Sequence, residues 1–388
     1  MSSCRINRLT LTDFRNYEAL RLETGGMSVI LTGANGAGKT NLLEAVSMFV
    51  PGRGLRGAAF DDIGRRGVDK GWGVAADTQG PVGETAFVTA WRPTSDQQTG
   101  ASNAGSRLVR INGDVQRGSG SLGDYIRIVW LTPAMDRLFA GPAGDRRRYL
   151  DRLTLAFDPQ HNSRSLAFEK LMRERNRLLS EERFDPIWLS GIEEQLAEAA
   201  VAVAAARAAA LEALQGFIEQ MNEGDREYAF PLAELAINGE LEHKLGQIPA
   251  VQVEDEYRRL LHDSRGRDQK AGRTLSGPHR SDLLVVHSAT GVEARLCSTG
   301  EQKALLIAIT LAHARAVKAA FGGWAPVLLL DEIAAHLDAE RRAALYAEIE
   351  ALGSQTWMTG TDQSLFEAAT GGVNKFTVTS GTVSPSSS

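Results

Sequence analysis

The sequence predicts an α/β fold of mixed sheets and helices with an α-helical domain inserted into it. Three observations carry this. The first third holds short apolar or alternating runs that read as strands, among them "RINRLTLTDF" and "MSVILT". From about Gly144, "GDRRRYLDRLTLAF", "RSLAFEKLMRERNRLL" and "LSGIEEQLAEAAVAVAAARAAALEAL" show helical periodicity and Ala-rich composition. After "DSRGRDQKAGRTLSGPHRSDLLVV" glycine, proline and strand-like residues return, so one core interrupted by helices fits better than three domains in a row. The expected divisions are 1–142 and 273–388 for the two parts of the core and 143–272 for the helical insertion. The end, "TSGTVSPSSS", reads as a disordered tail from about residue 380.

Local signals refine these elements. Asn112-Gly113 in "RLVRINGDVQ" predicts a hairpin with a type I′ turn. "SDQQTGASNAGS" (95 to 106) reads as a mobile polar loop, and "YIRIVWLTP" (125 to 133) as a strand stopped by Pro133. The 388 residues carry 43 Lys and Arg against 48 Asp and Glu, so bulk charge does not hold nucleic acid and any DNA contact needs local patches. Cys4 and Cys297 are too few for a disulfide framework and lack metal-ligand spacing; they read as plain thiols in a reducing compartment. The N-terminus has no apolar signal-like run, and no stretch approaches about eighteen uninterrupted apolar residues. A soluble, cytoplasmic chain without a membrane partner is expected.

"MSVILTGANGAGKT" places Gly33, Ala34, Asn35, Gly36, Ala37, Gly38, Lys39 and Thr40 after an apolar strand and before the helical "NLLEAVSMFV", the context of a P-loop. Glycines let the backbone close around an anion with its N–H groups inward, and the helix N-terminus adds favourable partial charge. Lys39 then reaches the β- and γ-phosphates, and the Thr40 hydroxyl ligates Mg²⁺. In "WAPVLLLDEIAAHLD" (324 to 338) an apolar strand delivers Asp331 and Glu332 at its carboxyl end. Asp331 is expected to hold the Mg²⁺ through its water shell, and Glu332 to act as general base on the attacking water. "STGEQKALLIAI" (298 to 309), taken alone, is a capping box of Ser298 and Glu301.

"STGEQK", "LLLDE" and "AHLD" (335 to 338) stand in the order of the signature turn, Walker B strand and D-loop, and in this the chain resembles the ABC ATPases. The resemblance implies an ABC-type P-loop ATPase head and an ATP-dependent homodimer packed head to tail. Ser298 and Gly300 of one copy would then meet the γ-phosphate of ATP held by the other. Together with "LTLTDFRNYEAL", "PGRGLR" (51 to 56), "LTPAMDRLFAGPAGDRRRYLD" (131 to 151) and "SGPHRSDL" (276 to 283), these motifs resemble the bacterial RecF family over nearly the whole chain. That family is the short-armed relative of the SMC proteins. An insertion of about 130 residues is too short for their long coiled-coil arm.

The resemblance implies an ATP-dependent DNA-binding protein of recombinational repair, with slow, DNA-stimulated ATP hydrolysis at gapped or single/double-strand junction DNA. RecO and RecR would be its partners in loading RecA. It also implies a catalytic set of Glu332, Lys39 and Ser298, an approach of Arg15 to the phosphates, a cradle organised by Asn35, and nucleotide contacts from Asn41 and Asp338. Arg15 reads equally well as an exposed strand-end charge.

Three departures stand out. Glu301 replaces the Gln frequent in ABC signatures, "TPAMDRL" holds no Q-loop Gln, and "TWMTGTD" (356 to 362) has Thr in place of the transporters' switch His. Thr132 and Thr359 are left as substitutes for the two sensing positions. Basic stretches at Arg53, Arg56, Arg65 and Arg66, at Arg146, Arg147 and Arg148, and at Arg258, Arg259, Arg265, Arg267, Lys270 and Arg273 read either as DNA patches or as solvated helix faces. The first and third would line one groove in the closed dimer. Competing classes are the ATPase subunit of a transporter or an SMC-like chromosome factor, and a small-molecule NTPase.

Overall fold

The computed structural model describes residues 2–68, 71–93, 106–181, 185–223, 228–369 and 372–386; the expected loop at 95 to 106 lies almost wholly outside them. The chain opens with strands β1 (Arg5–Phe14), β2 (Tyr17–Glu23) and β3 (Ser28–Thr32), helix α1 (Lys39–Ser47), and strands β4 (Trp72–Gly80), β5 (Gly83–Arg92), β6 (Ser106–Ile111), β7 (Asp114–Val115) and β8 (Ile128–Leu131). Then come α2 (Ala143–Phe157), α3 (His161–Leu179), α4 (Pro186–Glu223), β9 (Ala233–Asn238), α5 (Glu240–Leu245), α6 (Ala250–Asp263) and α7 (Arg265–Ala271). The last part holds β10 (Asp282–His287), β11 (Val292–Glu293), α8 (Thr299–Ala320), β12 (Val327–Leu330), α9 (Ala339–Leu352), β13 (Thr356–Gly360), β14 (Val373–Thr379) and β15 (Thr382–Pro385).

Two compact units result: Met1–Asp136 with Glu227–Phe230 and Leu306–Ser388, and Arg137–Arg226 with Pro231–Leu305. The first contains an antiparallel sheet in the order β2-β1-β4-β5-β6-β7 and a mainly parallel sheet in the order β15-β14-β3-β13-β12-β8. On β4 every second residue from Trp72 is buried, as one covered face requires. On β12 and β13 every residue is buried, which is why the former reads as an unbroken apolar run. Phe14, Leu31, Leu42, Phe49 and Trp357 share one core cluster, with Phe14 edge-on to Trp72. Asn112 and Gly113 both have positive φ, 52° and 91°, between the paired ends of β6 and β7, as the predicted turn demands. The tail differs from expectation. Ser380 and Gly381 turn the chain with positive φ, and β15 pairs with β14 as far as Pro385. "TVS" is β-competent, and proline is tolerated at the end of an edge strand.

In the second unit α3, α4 and α6 enclose a core of Phe168, Leu196, Ala200, Val203, Val253, Tyr257 and Leu261. By length and composition α4 could cross a membrane. However, it carries Glu193 and Arg207, both buried and ion-paired within this unit. Arg175 is wholly buried, with its guanidinium on Glu193, Asp268, Thr274 and the Leu261 carbonyl. The region expected to be helical also contains β9, which pairs with β10 and through it β11. "AELAIN" alternates correctly for a strand, but the alternation is brief and follows a long helix. This pairing draws β10 and β11 into the helical unit, so its boundary falls at 305/306, not at the expected 272/273.

Candidate functional site

The P-loop joins β3 to α1 and its glycines have distinct duties. Gly33 has φ 142°, and a Cβ there would stand 2.2 Å from the Val378 carbonyl oxygen. Gly38 has φ 118°, with a Cβ position 2.5 Å from Asn16 Nδ2 and 2.8 Å from the Tyr17 hydroxyl. At Gly36, φ 80°, a Cβ would meet open space; there only the conformation asks for glycine. Lys39, 4% exposed, folds back over the loop and donates to the Gly33 and Ala34 carbonyls at 2.6 and 3.0 Å. Its Nζ lies 4.0 Å from Glu332 Oε1.

The parallel sheet brings the acidic pair to the same place. Asp331, directly after β12, is 5% exposed and accepts from the Thr40 hydroxyl at 2.9 and 3.1 Å and from the Thr359 hydroxyl at 2.7 Å. No cation pairs with it among the described residues. Glu332 has φ 53°, unusual for a residue with a side chain, and its N–H donates to Thr359 Oγ1 at 2.9 Å. Thr40, Asp331, Glu332, Thr359 and Lys39 thus form one constellation at the carboxyl ends of β3, β12 and β13. Among the described residues no cluster of three His, Cys, Asp or Glu could hold a metal. Mg²⁺ does not need one: it takes one or two protein oxygens and completes its shell with phosphate and water. A buried carboxylate without a counter-charge, beside a hydroxyl, fits that requirement.

Residues that sequence reasoning missed brace the cradle from below. Asn16 Nδ2 donates to the Ala37 carbonyl, and the buried Tyr17 hydroxyl to the Gly38 carbonyl, both at 3.1 Å. Burial pushes the Tyr17 phenol well above its ordinary pKa, so it stays a donor. Both lie in "DFRNYEAL", where attention to a charge singled out Arg15 alone. Asn35 is exposed and makes no hydrogen bond among the described residues; the side chains that bond the loop carbonyls are Asn16, Tyr17 and Lys39. Arg15 does not stand free for phosphates. It is bidentate to the buried Glu44 at 2.6 and 2.8 Å and donates to the Asp62 carbonyl. Asn41 bonds Asn16 and Arg56, and Asp338 caps α9 through the Arg341 N–H.

In the second unit Ser298 and Glu301 form the reciprocal box at the start of α8. The Ser298 N–H and hydroxyl donate to Glu301 Oε2 at 2.8 and 2.7 Å, and the Glu301 N–H donates to Ser298 Oγ at 3.3 Å. Gln302, buried, secures the turn by donating to the Cys297 carbonyl. Ser298, Thr299 and Gly300 are exposed, and a Cβ on Gly300 would meet nothing.

The basic residues divide. Arg56 is paired with Glu44, Arg65 with Asp13 and Glu18, Arg258 with Asp255 and Glu194, and Arg265 with the buried Glu193. Arg146 pairs with Asp282 and Arg148 with Asp145, while Arg147 donates to the Ser281 carbonyl. Arg53, Arg66, Arg259, Arg267, Lys270 and Arg273 are exposed and have no carboxylate partner among the described residues.

No model of a known protein family matches the chain. Among curated proteins it is 50% identical over 380 residues to "DNA replication and repair protein RecF" of Mesorhizobium japonicum, covering 98% of this chain and 97% of that one. It is 52% identical over 364 residues to the protein of the same name from Agrobacterium fabrum, with 94% of each covered. Among solved structures it superposes on the recombination mediator protein RecF-ATPrS in the RecFOR pathway with a TM-score of 0.82, at 22% identity, over 99% of this chain and 98% of that one. An Smc head domain with an extended coiled coil from Pyrococcus furiosus matches at a TM-score of 0.51 and 16% identity, covering 98% of this chain and 95% of that one. The fold is that of an ABC-type α/β ATPase head.

Proposed function

The chain belongs to the RecF family of DNA replication and repair proteins, and from that premise we propose that it is an ATP-hydrolysing, DNA-binding protein of recombinational repair that dimerises around ATP. One observation carries this reading: Asp331, bound by hydroxyls and without a cation partner among the described residues, lies beside a P-loop whose lysine is already folded over it. Lys39 exchanges the Gly33 and Ala34 carbonyls for phosphate oxygens. Thr40 and Asp331 are the residues that would hold Mg²⁺, which would supply charge compensation for the phosphate oxygens. Glu332, one-third exposed, takes the proton of the attacking water. Ser298 and the Gly300 N–H serve the nucleotide of a second copy, so the Ser298 hydroxyl must first leave Glu301.

Of the basic positions, Arg53, Arg66, Arg259, Arg267, Lys270 and Arg273, which have no carboxylate partner among the described residues, are the better phosphate contacts, because the others are already occupied by carboxylates or carbonyls. Gapped or junction DNA is the substrate, hydrolysis is slow and DNA-stimulated, RecR acting with RecO is the partner that leads to RecA, and the protein works in the cytoplasm. The transporter reading is not favoured: the near full-length relatives are replication and repair proteins.

Mixing two inactive variants, Lys39→Ala and Ser298→Ala, tests the shared site. A mixed dimer has one doubly defective site and one intact site, so hydrolysis returns in part. No return at any concentration, with both variants folded, rejects it. For DNA, equal duplex affinity and equal salt slope with ATP and ADP would remove the coupling to nucleotide.

A further inference from the structure

β13 runs between β3, which leads into the P-loop, and β12, which leads into Asp331. Near its end Thr359, 1% exposed, uses its hydroxyl in both directions: it donates to Asp331 Oδ1 and accepts the Glu332 N–H. Thr40 holds the same carboxylate from α1. Glu332 at φ 53° adopts a left-handed conformation that a residue with a side chain keeps only when its surroundings impose it. The bond from its N–H to Thr359 is such a constraint. A hydroxyl suits the position because one neutral group can donate to a carboxylate and accept from an amide at once, without placing a charge beside Asp331.

We propose that Thr359 is the positioning residue of the hydrolytic site. It keeps Glu332 aimed at the attacking water, and it keeps Asp331 oriented when Thr40 turns from that carboxylate to the metal. The proposal rests on the reading of this site as an ATPase. It separates two functions: Lys39 and the loop glycines bind nucleotide, whereas Thr359 touches none of it and acts through Asp331 and Glu332.

The test compares the full chain with Thr359→Val, Thr359→Ala and Thr359→Ser. Folding is checked by circular dichroism, affinity by titration with a fluorescent ATP analogue in EDTA, and hydrolysis by single turnover with Mg²⁺. Removing the hydroxyl is expected to slow hydrolysis by about 30- to 100-fold, the scale of a small misplacement of a catalytic group. Nucleotide affinity stays within about threefold, a split that marks loss of a transition-state interaction alone. Thr359→Ser restores most of the rate. Native hydrolysis in whichever of Thr359→Val and Thr359→Ala folds, a parallel loss of affinity and rate, or a Ser variant as slow as Val would each overturn the proposal. A native chain that binds no ATP at all would instead bring down the ATPase reading beneath it.

Discussion

Asp331 in one unit and Asp268 in the other are both buried carboxylates, 5% and 1% exposed, yet their partners differ in kind. Asp268 accepts from the Arg175 guanidinium at 2.8 Å and from Ser264, and Arg175 is shared with Glu193, which also takes Arg265. Charge there is met by charge, inside the helical core. Among the described residues the Asp331 carboxylate is met only by the neutral hydroxyls of Thr40 and Thr359. Burying an ion is costly unless it is paired, so the first arrangement is an ion-paired structural joint, even with Asp268 Oδ1 buried and without a hydrogen-bond partner among the described residues, while the second suits a carboxylate whose counter-ion comes with a ligand. The kind of partner, more than the depth of burial, separates scaffold from site.

The strongest way to break this contrast is to remove the guanidinium. Arg175→Met leaves Glu193 and Asp268 buried with Arg265 alone, and should destabilise the helical unit by about 3–5 kcal/mol. Urea unfolding followed by circular dichroism reads it; a loss near zero would mean the network is not closed. On the other side of the contrast, Asp331→Asn should cost no stability, because the amide oxygen still accepts from both hydroxyls and a burden of uncompensated charge is lifted. Hydrolysis should nevertheless fall by roughly 10²–10³-fold, as when a preorganised electrostatic group is lost. A melting temperature that drops in parallel with activity would make Asp331 a structural residue like Asp268.

A smaller effect sharpens the same point at the backbone. Gly38→Ala forces a side chain to φ 118° with its Cβ against Asn16 and Tyr17, and should cost about 1–3 kcal/mol as local strain. ATP affinity should fall with it, whereas Gly36→Ala, facing open space, should fold more nearly like the native chain. The smallest effect belongs to the α8 box. Hydrogen bonds from the Ser298 hydroxyl and backbone N–H hold the Glu301 pKa below the ordinary glutamate value. A depressed pKa gives a contribution that is complete above the ordinary value and disappears as pH falls through the depressed one. The melting temperature of the native chain relative to Glu301→Gln should therefore shrink on acidification; a difference independent of pH would show that the carboxylate does not cap the helix.

What was legible in the sequence follows the same division. The P-loop, Asp331-Glu332 and the Ser298–Glu301 box could be read because each is contiguous and its chemistry needs fixed spacing. Thr359 stands out in the sequence only as a stand-in for the switch His; its bonds to Asp331 and Glu332, and the places of Asn16 and Tyr17 at the loop, come from the sheet order and the β1–β2 turn. Arg15, Arg56 and Arg265 look free in one dimension because Glu44 and Glu193 lie on other elements. β9 and β15 were obscured for a different reason: short strands owe their stability to the partner that completes the sheet, here β10 and β14.

The central claim is that ATP hydrolysis here needs the α8 end of a second copy. The most direct measurement is sedimentation velocity of Glu332→Gln with and without ATP, repeated with Ser298→Ala added. The account predicts a dimer only with ATP, and none once Ser298 is removed. An ATP-loaded chain that stays monomeric, alongside native protein hydrolysing at an undiminished rate per molecule on dilution, would contradict it.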